Sequence, residues 1–339
     1  MIMKVAQLVK HGNDPSCFKI AEVNKPTPKA DQVLIKVEGF GLNYADVMAR
    51  LGQYRDAPPL PAVLGYDVVG IVEAVGQGGD SNIIGKRDVA VTEFGGYAEY
   101  AIAHEGAVAA IPNDMPLASA AALATQYATA YYAAFQLGNV QEGEHVFIHA
   151  SAGGVGLALV QFCKLKNCVM HGTVSNDTKA ETIRQLGVQH IINSSKENVI
   201  DELRKLDSQV DVIFDSVGGK GVKVGFQSLR AGGRIICYGG SQLTSGKGIF
   251  NMVRFGLSFG FYSPIQMLSQ SKSILGVNML KLMRARPQSL KTILNQILKL
   301  LQENKISTPM GETFPIDKLF EAHSYLQSRK SMGKIAVKW

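Results

Sequence analysis

A glycine-rich turn in the middle of the chain constrains the fold more than any other stretch. Residues 145–156 begin with a short apolar run and end in Ser-Ala-Gly-Gly-Val-Gly. Apolar residues then recur at helical spacing, at Val155, Leu159, Phe162 and Leu165. The pattern predicts a strand, a tight turn and the start of a helix, which together are typical of a dinucleotide-binding unit.

Three small residues of this turn have separate expected roles. Gly153 and Gly156 occupy the second and third glycine places of the dinucleotide fingerprint, and Ser151 stands where the first glycine often lies. Free N–H groups at the helix start, reinforced by the helix dipole, favour an anion such as a pyrophosphate. A strand-to-helix turn whose glycines serve packing alone is the alternative interpretation.

Short apolar runs alternate with helix-length segments after this turn. The predicted strands are 169–174, 190–192, 210–214 and 234–238, and the predicted helices are 179–186, 197–206 and 221–229. This alternation predicts a doubly wound parallel sheet. Because such sheets bind ligands at the carboxyl ends of their strands, it favours the ligand-binding interpretation of the turn.

The first 120 residues show a different pattern. Strand-like runs at 3–10, 32–38, 65–75 and 95–102 predict a β-rich region. An alanine- and tyrosine-rich stretch at about 118–136 is helical by propensity and leads into the dinucleotide unit. Since 339 residues exceed the usual size of one hydrophobic core, we predict two domains.

Composition argues against several classes of protein. No stretch offers about 18 uncharged apolar residues, and the N-terminus lacks a secretory pattern, so we expect a cytoplasmic protein without a transmembrane segment. The net charge is +7, but the basic residues are dispersed and form no nucleic-acid motif. The four cysteines and seven histidines show no zinc-type spacing, so we expect buried free thiols and a reaction without a metal.

The last hundred residues are less regular. After a predicted loop at 241–248, residues 249–268 are apolar and aromatic, with Arg254 as their single charge. This segment is consistent with a helix at the active-site cleft or at a subunit interface, with a helix on a membrane surface, or with ordinary core. We favour the cleft or interface, because membrane-surface helices normally carry several basic residues.

The residues after the second predicted strand indicate which dinucleotide is bound. NAD sites usually present an acid there to the ribose 2′-hydroxyl. Here Ser175 and Asn176 lie at the strand tip and Lys179 follows, a combination that can accept a 2′-phosphate. Asp177 either favours NADH or caps the following helix at its N-terminus. We favour NADPH.

Four motifs, in order along the chain, carry a resemblance to a known family: Asn43-Tyr-Ala-Asp46, Gly65-Tyr-Asp67, Ala152-Gly-Gly-Val-Gly156 and Gly333-Lys-Ile-Ala-Val337. With them the whole chain resembles the zinc-free quinone oxidoreductases of the medium-chain dehydrogenase/reductase superfamily. Residues 39–50 and 58–61 look most similar to the synaptic vesicle membrane protein branch. Zinc alcohol dehydrogenases of this superfamily carry a ligand cysteine near Asn43 and a histidine–acid pair near Tyr66 and Asp67, and neither ligand is present here.

The resemblance implies two domains and a set of cofactor contacts. A GroES-like catalytic domain would comprise residues 1–120 and 282–339, and a Rossmann domain that binds NADPH would comprise 121–281. Ser194 stands where the family often has a tyrosine, which weakens the NADPH assignment. The implied cofactor-binding residues are Thr129, Gly153, Gly154, Val155, Gly156, Ser175, Lys179, Ser194, Val217, Tyr238, Gly239, Gly240, Ser241 and Asn278.

The resemblance also implies a reaction, the transfer of hydride from NADPH to a quinone or an α,β-unsaturated carbonyl. Asn43 would donate a hydrogen bond to the substrate carbonyl and Tyr54 would line the pocket. The alternatives are a helix cap for Asn43 and packed aromatic rings for Tyr54 and Tyr66.

The alternative function is an NADPH-binding adaptor or membrane-associated protein with vestigial reductase activity. RNA binding occurs in a crystallin-like relative, but no RNA motif is visible in this chain. A homodimer that pairs the predicted strand 273–278 across a two-fold axis is also implied.

Overall fold

The computed structural model describes residues 1–241, 249–308 and 310–339, and most of the predicted loop at 241–248 lies outside them. The chain forms two compact units. Unit 1 comprises residues 1–128 and 279–339, and unit 2 comprises residues 129–278. The predicted two-domain α/β fold is confirmed.

The strands and helices have the following bounds. The strands are β1 (Ile2–Leu8), β2 (Phe18–Asn24), β3 (Gln32–Leu42), β4 (Ala62–Val63), β5 (Asp67–Val75), β6 (Arg87–Val91), β7 (Tyr100–His104), β8 (Val108–Ala110), β9 (His145–Ile148), β10 (Val169–Val174), β11 (His190–Asn193), β12 (Val210–Asp215), β13 (Leu229–Cys237), β14 (Ser273–Gly276), β15 (Gly311–Pro315) and β16 (Lys334–Lys338). The helices are α1 (Tyr44–Arg50), α2 (Leu117–Ala122), α3 (Ala128–Tyr131), α4 (Gly154–Lys164), α5 (Asp177–Gln185), α6 (Val199–Lys205), α7 (Lys220–Ser228), α8 (Ile249–Ser258), α9 (Pro264–Gln270), α10 (Met279–Ala285), α11 (Pro287–Gln302) and α12 (Leu319–Gln327).

Unit 1 is the β-rich part of the chain. A three-stranded sheet has the order β2-β1-β4, and a seven-stranded sheet has the order β15-β16-β3-β5-β6-β8, with β7 also paired to β3. The C-terminal strand β16 runs antiparallel to β3, with Ile335 opposite Leu42. Alternating apolar residues of β3, such as Val33, Ile35 and Val37, enter the core. The chain therefore completes its N-terminal domain with its last residues.

Unit 2 is a parallel sheet with the strand order β11-β10-β9-β12-β13-β14. This is the order of a doubly wound dinucleotide-binding fold, and it reverses direction between β9 and β12. Helices α4 and α5 each connect neighbouring parallel strands on the β11 side of that point. The predicted parallel sheet is confirmed, and β13 begins five residues earlier than the predicted strand at 234–238 because it includes the turn Ala231–Gly233.

The apolar segment at 249–268 folds into α8 and the start of α9. The rings of Phe255 and Phe259 are partly buried and lie 5.0 Å apart. Five large apolar side chains of the segment face solvent: Val253 is 56% exposed, Leu257 57%, Phe261 83%, Ile265 78% and Leu268 83%. We call these five residues the α8–α9 patch. Ordinary core is therefore the wrong explanation for them.

No helix among the described residues is both long enough and apolar enough to cross a membrane.

Three histidines stack across one face of the unit 2 sheet. The ring centroids of His171 and His190 are 4.4 Å apart with planes at 16°, and His145 lies 6.2 Å from His171 on the other side. His171 is 8% exposed. Its burial, with the neighbouring His190 and His145, lowers the pKa of His171 to about 4.

This stack should make unfolding sensitive to acid. The unfolded chain, with an ordinary histidine pKa near 6.5, takes up a proton that folded His171 accepts only near pH 4. The contribution of neutral His171 to the free energy of unfolding is therefore complete above about pH 6.5. It amounts to at most about 3 kcal/mol and is lost as the pH falls. In urea unfolding at several pH values, His171→Gln should lose this part of the pH dependence.

The exposed histidine His11 provides a matched control, because His11→Gln should keep the wild-type dependence. A His171→Gln variant whose unfolding free energy varies with pH as in the wild type would contradict the assignment.

Candidate cofactor and substrate site

The carboxyl ends of all six parallel strands bring most of the predicted cofactor residues to one edge of unit 2. Because the strands are parallel, the residues that follow them share that edge. The glycine turn follows β9, Ser175 follows β10, Ser194 follows β11, Val217 follows β12, residues 238–241 follow β13, and Asn278 follows β14. Thr129 is buried in α3, at the start of unit 2.

The glycine turn is shaped so that a backbone can approach closely. Gly153 is the residue before α4 in extended conformation, and no described side chain caps the free N–H groups of this helix. A Cβ atom on Gly156 would lie 2.3 Å from the carbonyl oxygen of Ala150. The place of the first glycine is held by Ser151, which is buried and donates its hydroxyl to the carbonyl of Thr173 at 2.9 Å. A dinucleotide pyrophosphate fits this uncapped helix start.

Residues at the tips of β10 and β11 are joined by hydrogen bonds. Both the backbone N–H and the hydroxyl of Ser194 donate to the carbonyl of Val174, each at 2.8 Å. Ser194 therefore lies beside Ser175, the residue after Val174. These two hydroxyl-bearing residues form a corner after β10 and β11, which is where the sequence predicts contacts with a substituent of the ribose.

Asp177 has a structural role, but not the predicted one. Asn176 caps α5, because its Oδ1 accepts from the backbone N–H of Lys179 at 2.9 Å. Asp177 is the first helical residue, and its carboxylate binds Lys196 at 2.8 Å and the amide of Asn193 at 2.8 Å. Lys196 thus offsets the charge of Asp177, the acid that argues for NADH.

Lys179 is more enclosed than expected of a phosphate ligand. It is 8% exposed, and burial lowers its pKa. Its backbone N–H is used by the Asn176 cap, so its contribution to a phosphate would come from the ammonium group.

A buried histidine–carboxylate pair lies behind the glycine turn, and sequence reasoning missed its acid. His149 Nε2 and Asp215 Oδ2 are 3.4 Å apart, and the side chains are 4% and 0% exposed. The other oxygen of Asp215 accepts backbone N–H groups from Val217 at 3.1 Å and Gly218 at 2.6 Å. Burial lowers the pKa of His149, and the charge of Asp215, which raises it, does not outweigh this effect. The histidine is therefore neutral near pH 7. The pair fixes the loop that carries Val217.

The loop after β13 packs against the loop after β12. The N–H of Ser241 donates to the carbonyl of Ser216 at 3.1 Å, and a Cβ on Gly239 would lie 2.8 Å from the same oxygen. The N–H of Val277 donates to Cys237, which sets Asn278 beside Tyr238. The residues predicted to bind the nicotinamide half are therefore adjacent.

Unit 1 holds the two predicted catalytic residues, and Asn43 is part of a buried polar network. Its Nδ2 donates to Asp67 at 2.5 Å, and its Oδ1 accepts from Lys334 Nζ at 3.0 Å. Lys334 and Asp67 form an ion pair at 2.5 Å, and both side chains are 0% exposed. Asn43 also begins α1, because its backbone N–H donates to Asp46 at 2.8 Å. The predicted cap role is present, and a catalytic role for Asn43 stays a prediction.

Zinc does not fit the residues of unit 1 that stand at the ligand positions of zinc alcohol dehydrogenases. Asn43 and Tyr66 offer an amide and a phenol, and the carboxylate of Asp67 is neutralised by Lys334. Across residues 1–241, 249–308 and 310–339, no group of three or more His, Cys, Asp or Glu side chains is arranged to hold a metal ion.

An aromatic cluster in unit 1 contains Tyr54. The Tyr54 and Tyr66 rings meet edge to face at 6.2 Å, and Phe94 lies 4.9 Å from Tyr66. Tyr54 is half-buried, whereas Tyr66 is 6% exposed. Burial raises the pKa of both phenols, so both remain protonated.

The glycine turn generates a test by substitution. We expect Gly156→Ala to destabilise the protein by about 1–3 kcal/mol, because the new methyl group overlaps the Ala150 carbonyl. We also expect it to weaken NADPH binding at least tenfold, about 1.4 kcal/mol. Thermal unfolding and a fluorescence titration with NADPH measure the two effects.

Gly256→Ala serves as the control, because a Cβ at this helical glycine meets no atom within 4 Å. It should leave NADPH affinity unchanged and stabilise α8 by up to about 1 kcal/mol. Equal NADPH affinity in the Gly156→Ala variant and the wild type would contradict the proposed pyrophosphate turn.

Comparisons with known proteins agree with this architecture. Residues 29–113 match the alcohol dehydrogenase GroES-like domain, and residues 186–337 match the zinc-binding dehydrogenase family. The chain is 30% identical over 316 residues to the human synaptic vesicle membrane protein VAT-1 homolog. The aligned residues cover 92% of this chain and 80% of the relative. It is 28% identical over 341 residues to human quinone oxidoreductase, covering 99% and 98%.

A solved structure shows the same fold in both units. It is that of mycobacterial Rv1454c complexed with NADPH, with a TM-score of 0.82, 26% identity, and coverage of 99% of this chain and 100% of that chain. The predicted family resemblance is confirmed. The chain is an oxidoreductase of the medium-chain dehydrogenase/reductase superfamily and belongs with the zinc-free quinone oxidoreductases and VAT-1 homologues.

Proposed function

We propose that this protein is an NADPH-dependent oxidoreductase that reduces a quinone or an α,β-unsaturated carbonyl without a metal. The observation that carries the proposal is the convergence of six strand ends around an uncapped, glycine-lined helix start in unit 2. A relative named quinone oxidoreductase and a similar structure complexed with NADPH support it. When bound, the cofactor supplies the hydride.

NADPH is proposed over NADH because of the corner after β10. Ser175 and Ser194 offer two hydroxyl-bearing residues, and Lys196 neutralises Asp177. An unpaired carboxylate in this place would repel a 2′-phosphate, whereas a paired one repels it less.

The acceptor is proposed to bind to residues of unit 1. Asn43 is oriented by Lys334 and Asp67, so its amide nitrogen is fixed as a donor. Tyr54 is half-buried and protonated, so its phenol can donate to an oxygen on which negative charge develops. The proton that completes the reduction comes from water in this proposal.

We further propose a cytoplasmic homodimer. All four cysteines are free thiols, and three of them are buried, as is usual in a reducing compartment. Among the described residues, strand β14 is the last strand of its sheet and has one unpaired edge. A second copy could extend the sheet there, as the resemblance implies.

Cofactor choice can be tested at Ser175. In the Ser175→Asp variant we expect NADPH affinity to fall at least tenfold, about 1.4 kcal/mol, and NADH affinity to stay within a few-fold, because the new carboxylate repels only the 2′-phosphate. The measurements are fluorescence titrations with both nucleotides, followed by absorbance assays of NADPH oxidation with a quinone and an enone.

Ser81→Asp, an exposed substitution in unit 1, is the matched control and should bind both nucleotides as the wild type does. The proposal fails if the wild type binds NADPH no more tightly than NADH, or if NADPH oxidation is absent across a panel of quinones and enones.

A second candidate function is an NADPH-binding protein that associates with membranes. The α8–α9 patch favours it, because five large apolar side chains are 56–83% exposed within a short segment. The segment 249–270 contains no acidic residue that an anionic membrane would repel.

The membrane candidate predicts that the wild-type protein floats with vesicles that contain anionic lipid. The double variant Phe261→Asp, Leu268→Asp should lose at least tenfold in the bound fraction, because two charges replace the most exposed apolar groups. Ile84→Asp, at an apolar residue of unit 1 that is 46% exposed, should bind as the wild type does. Wild-type protein that stays unbound would exclude the membrane candidate.

A further inference from the structure

The hydroxyl of Tyr66 is buried and has no hydrogen-bond partner among the described residues. The residue is 6% exposed, and its backbone is fixed, since its carbonyl accepts from the N–H of Thr92 at 2.7 Å. A buried hydroxyl without a partner destabilises the folded protein, because its hydrogen bond to water is lost and not replaced. Native proteins retain such groups rarely, and a functional role at a site is one of the recognised reasons.

The groups around this hydroxyl define what could accept its hydrogen. The phenol of Tyr54 lies close enough to interact with that of Tyr66, without a hydrogen bond of normal geometry between them. The rings of Tyr54 and Phe94 flank Tyr66 edge to face and tilted, at 6.2 and 4.9 Å. The two neighbouring phenols and the ring of Phe94 thus form one aromatic cluster.

A flat conjugated molecule with a carbonyl oxygen matches these surroundings. Aromatic rings offer large contact area and favourable edge-to-face geometry for another ring. Neutral phenols donate hydrogen bonds without being deprotonated, and two donors on one oxygen stabilise it more as negative charge builds there. An aliphatic enone would use the donors but not the rings.

We propose that Tyr66 is a substrate-binding residue that, together with Tyr54, donates a hydrogen bond to one carbonyl oxygen of a planar conjugated acceptor such as a quinone. The proposal rests on the proposed reductase function and narrows its substrate class. Tyr66 loses no proton in this role, and the acceptor oxygen takes its proton from water.

The test is the variant Tyr66→Phe in the full-length protein. Binding of xanthone, a planar aromatic ketone that is not reduced under the assay conditions, is measured by calorimetry with NADPH present. We expect affinity for xanthone to fall about tenfold and kcat/KM for a quinone to fall at least as much. The melting temperature should stay equal or rise, because an unpartnered buried hydroxyl is removed.

Tyr325→Phe is the control, because it removes a phenol of unit 1 that bonds Glu312 at 3.0 Å near the surface. It should leave xanthone binding and turnover unchanged. Equal xanthone affinity in Tyr66→Phe and wild type, or a lower melting temperature in Tyr66→Phe, would overturn the proposal, since the hydroxyl would then be idle or structural.

The binding role of Tyr66 and the reductase function can fail independently. If the wild type binds xanthone in a Tyr66-dependent way but oxidises no NADPH with any quinone, the reductase function is wrong and the ketone site stands. If quinone turnover is normal in Tyr66→Phe, the function stands and the role of Tyr66 is wrong.

Discussion

The ion pair between Lys334 and Asp67 is the constraint on which unit 1 depends. Both side chains are fully buried, and removal of one partner from such a pair costs about 3–5 kcal/mol, because the other charge is left without compensation. The pair joins the last strand, β16, to β5. Its space is provided by Gly41, where a Cβ atom would lie 2.1 Å from Lys334 Cε. The end of the chain is thereby locked into its N-terminal domain.

The same pair determines the chemistry that Asn43 can offer. An ammonium group only donates and a carboxylate only accepts, so Lys334 and Asp67 assign the oxygen and nitrogen of the Asn43 amide without ambiguity. Asp46 adds a second acid to this network, and burial raises its pKa to about 7. A buried acid near half-protonation adds less repulsion toward Asp67 than a full charge would, which allows two carboxyl groups to share a single lysine.

Local patterns in the sequence predicted unit 2 well. Strand β10 has the predicted bounds, because a short apolar run is a property of neighbouring residues. The glycine turn and the residues after each strand were also predicted, since parallel topology places all strand ends at one edge. The cap role offered for Asp177 was wrong by one residue: Asn176 caps α5, and Asn and Asp are about equally favoured at that position.

Contacts between distant residues were not predictable in this way. The hydrogen bond from Lys334 to Asn43 spans 291 positions, and a single buried lysine in a strand has no local signature. Asp215 looked like an ordinary strand end, and its pairing with His149 depends on the register between β12 and β9. The exposed side of α8 was equally hidden, because an apolar sequence predicts burial unless the neighbouring elements are known.

Buried side-chain atoms without a hydrogen-bond partner among the described residues occur in several parts of both units, and some of them lie beside residues that the motifs nominated. In unit 1 they include Asp46 Oδ1 and Tyr66 Oη. Cores elsewhere in both units are apolar and closely packed. Sequences are expected to depart from local consistency where function requires it, and to offset the cost with surrounding packing. The unpartnered hydroxyl of Tyr66, buried in the aromatic cluster of unit 1, is a departure of this kind.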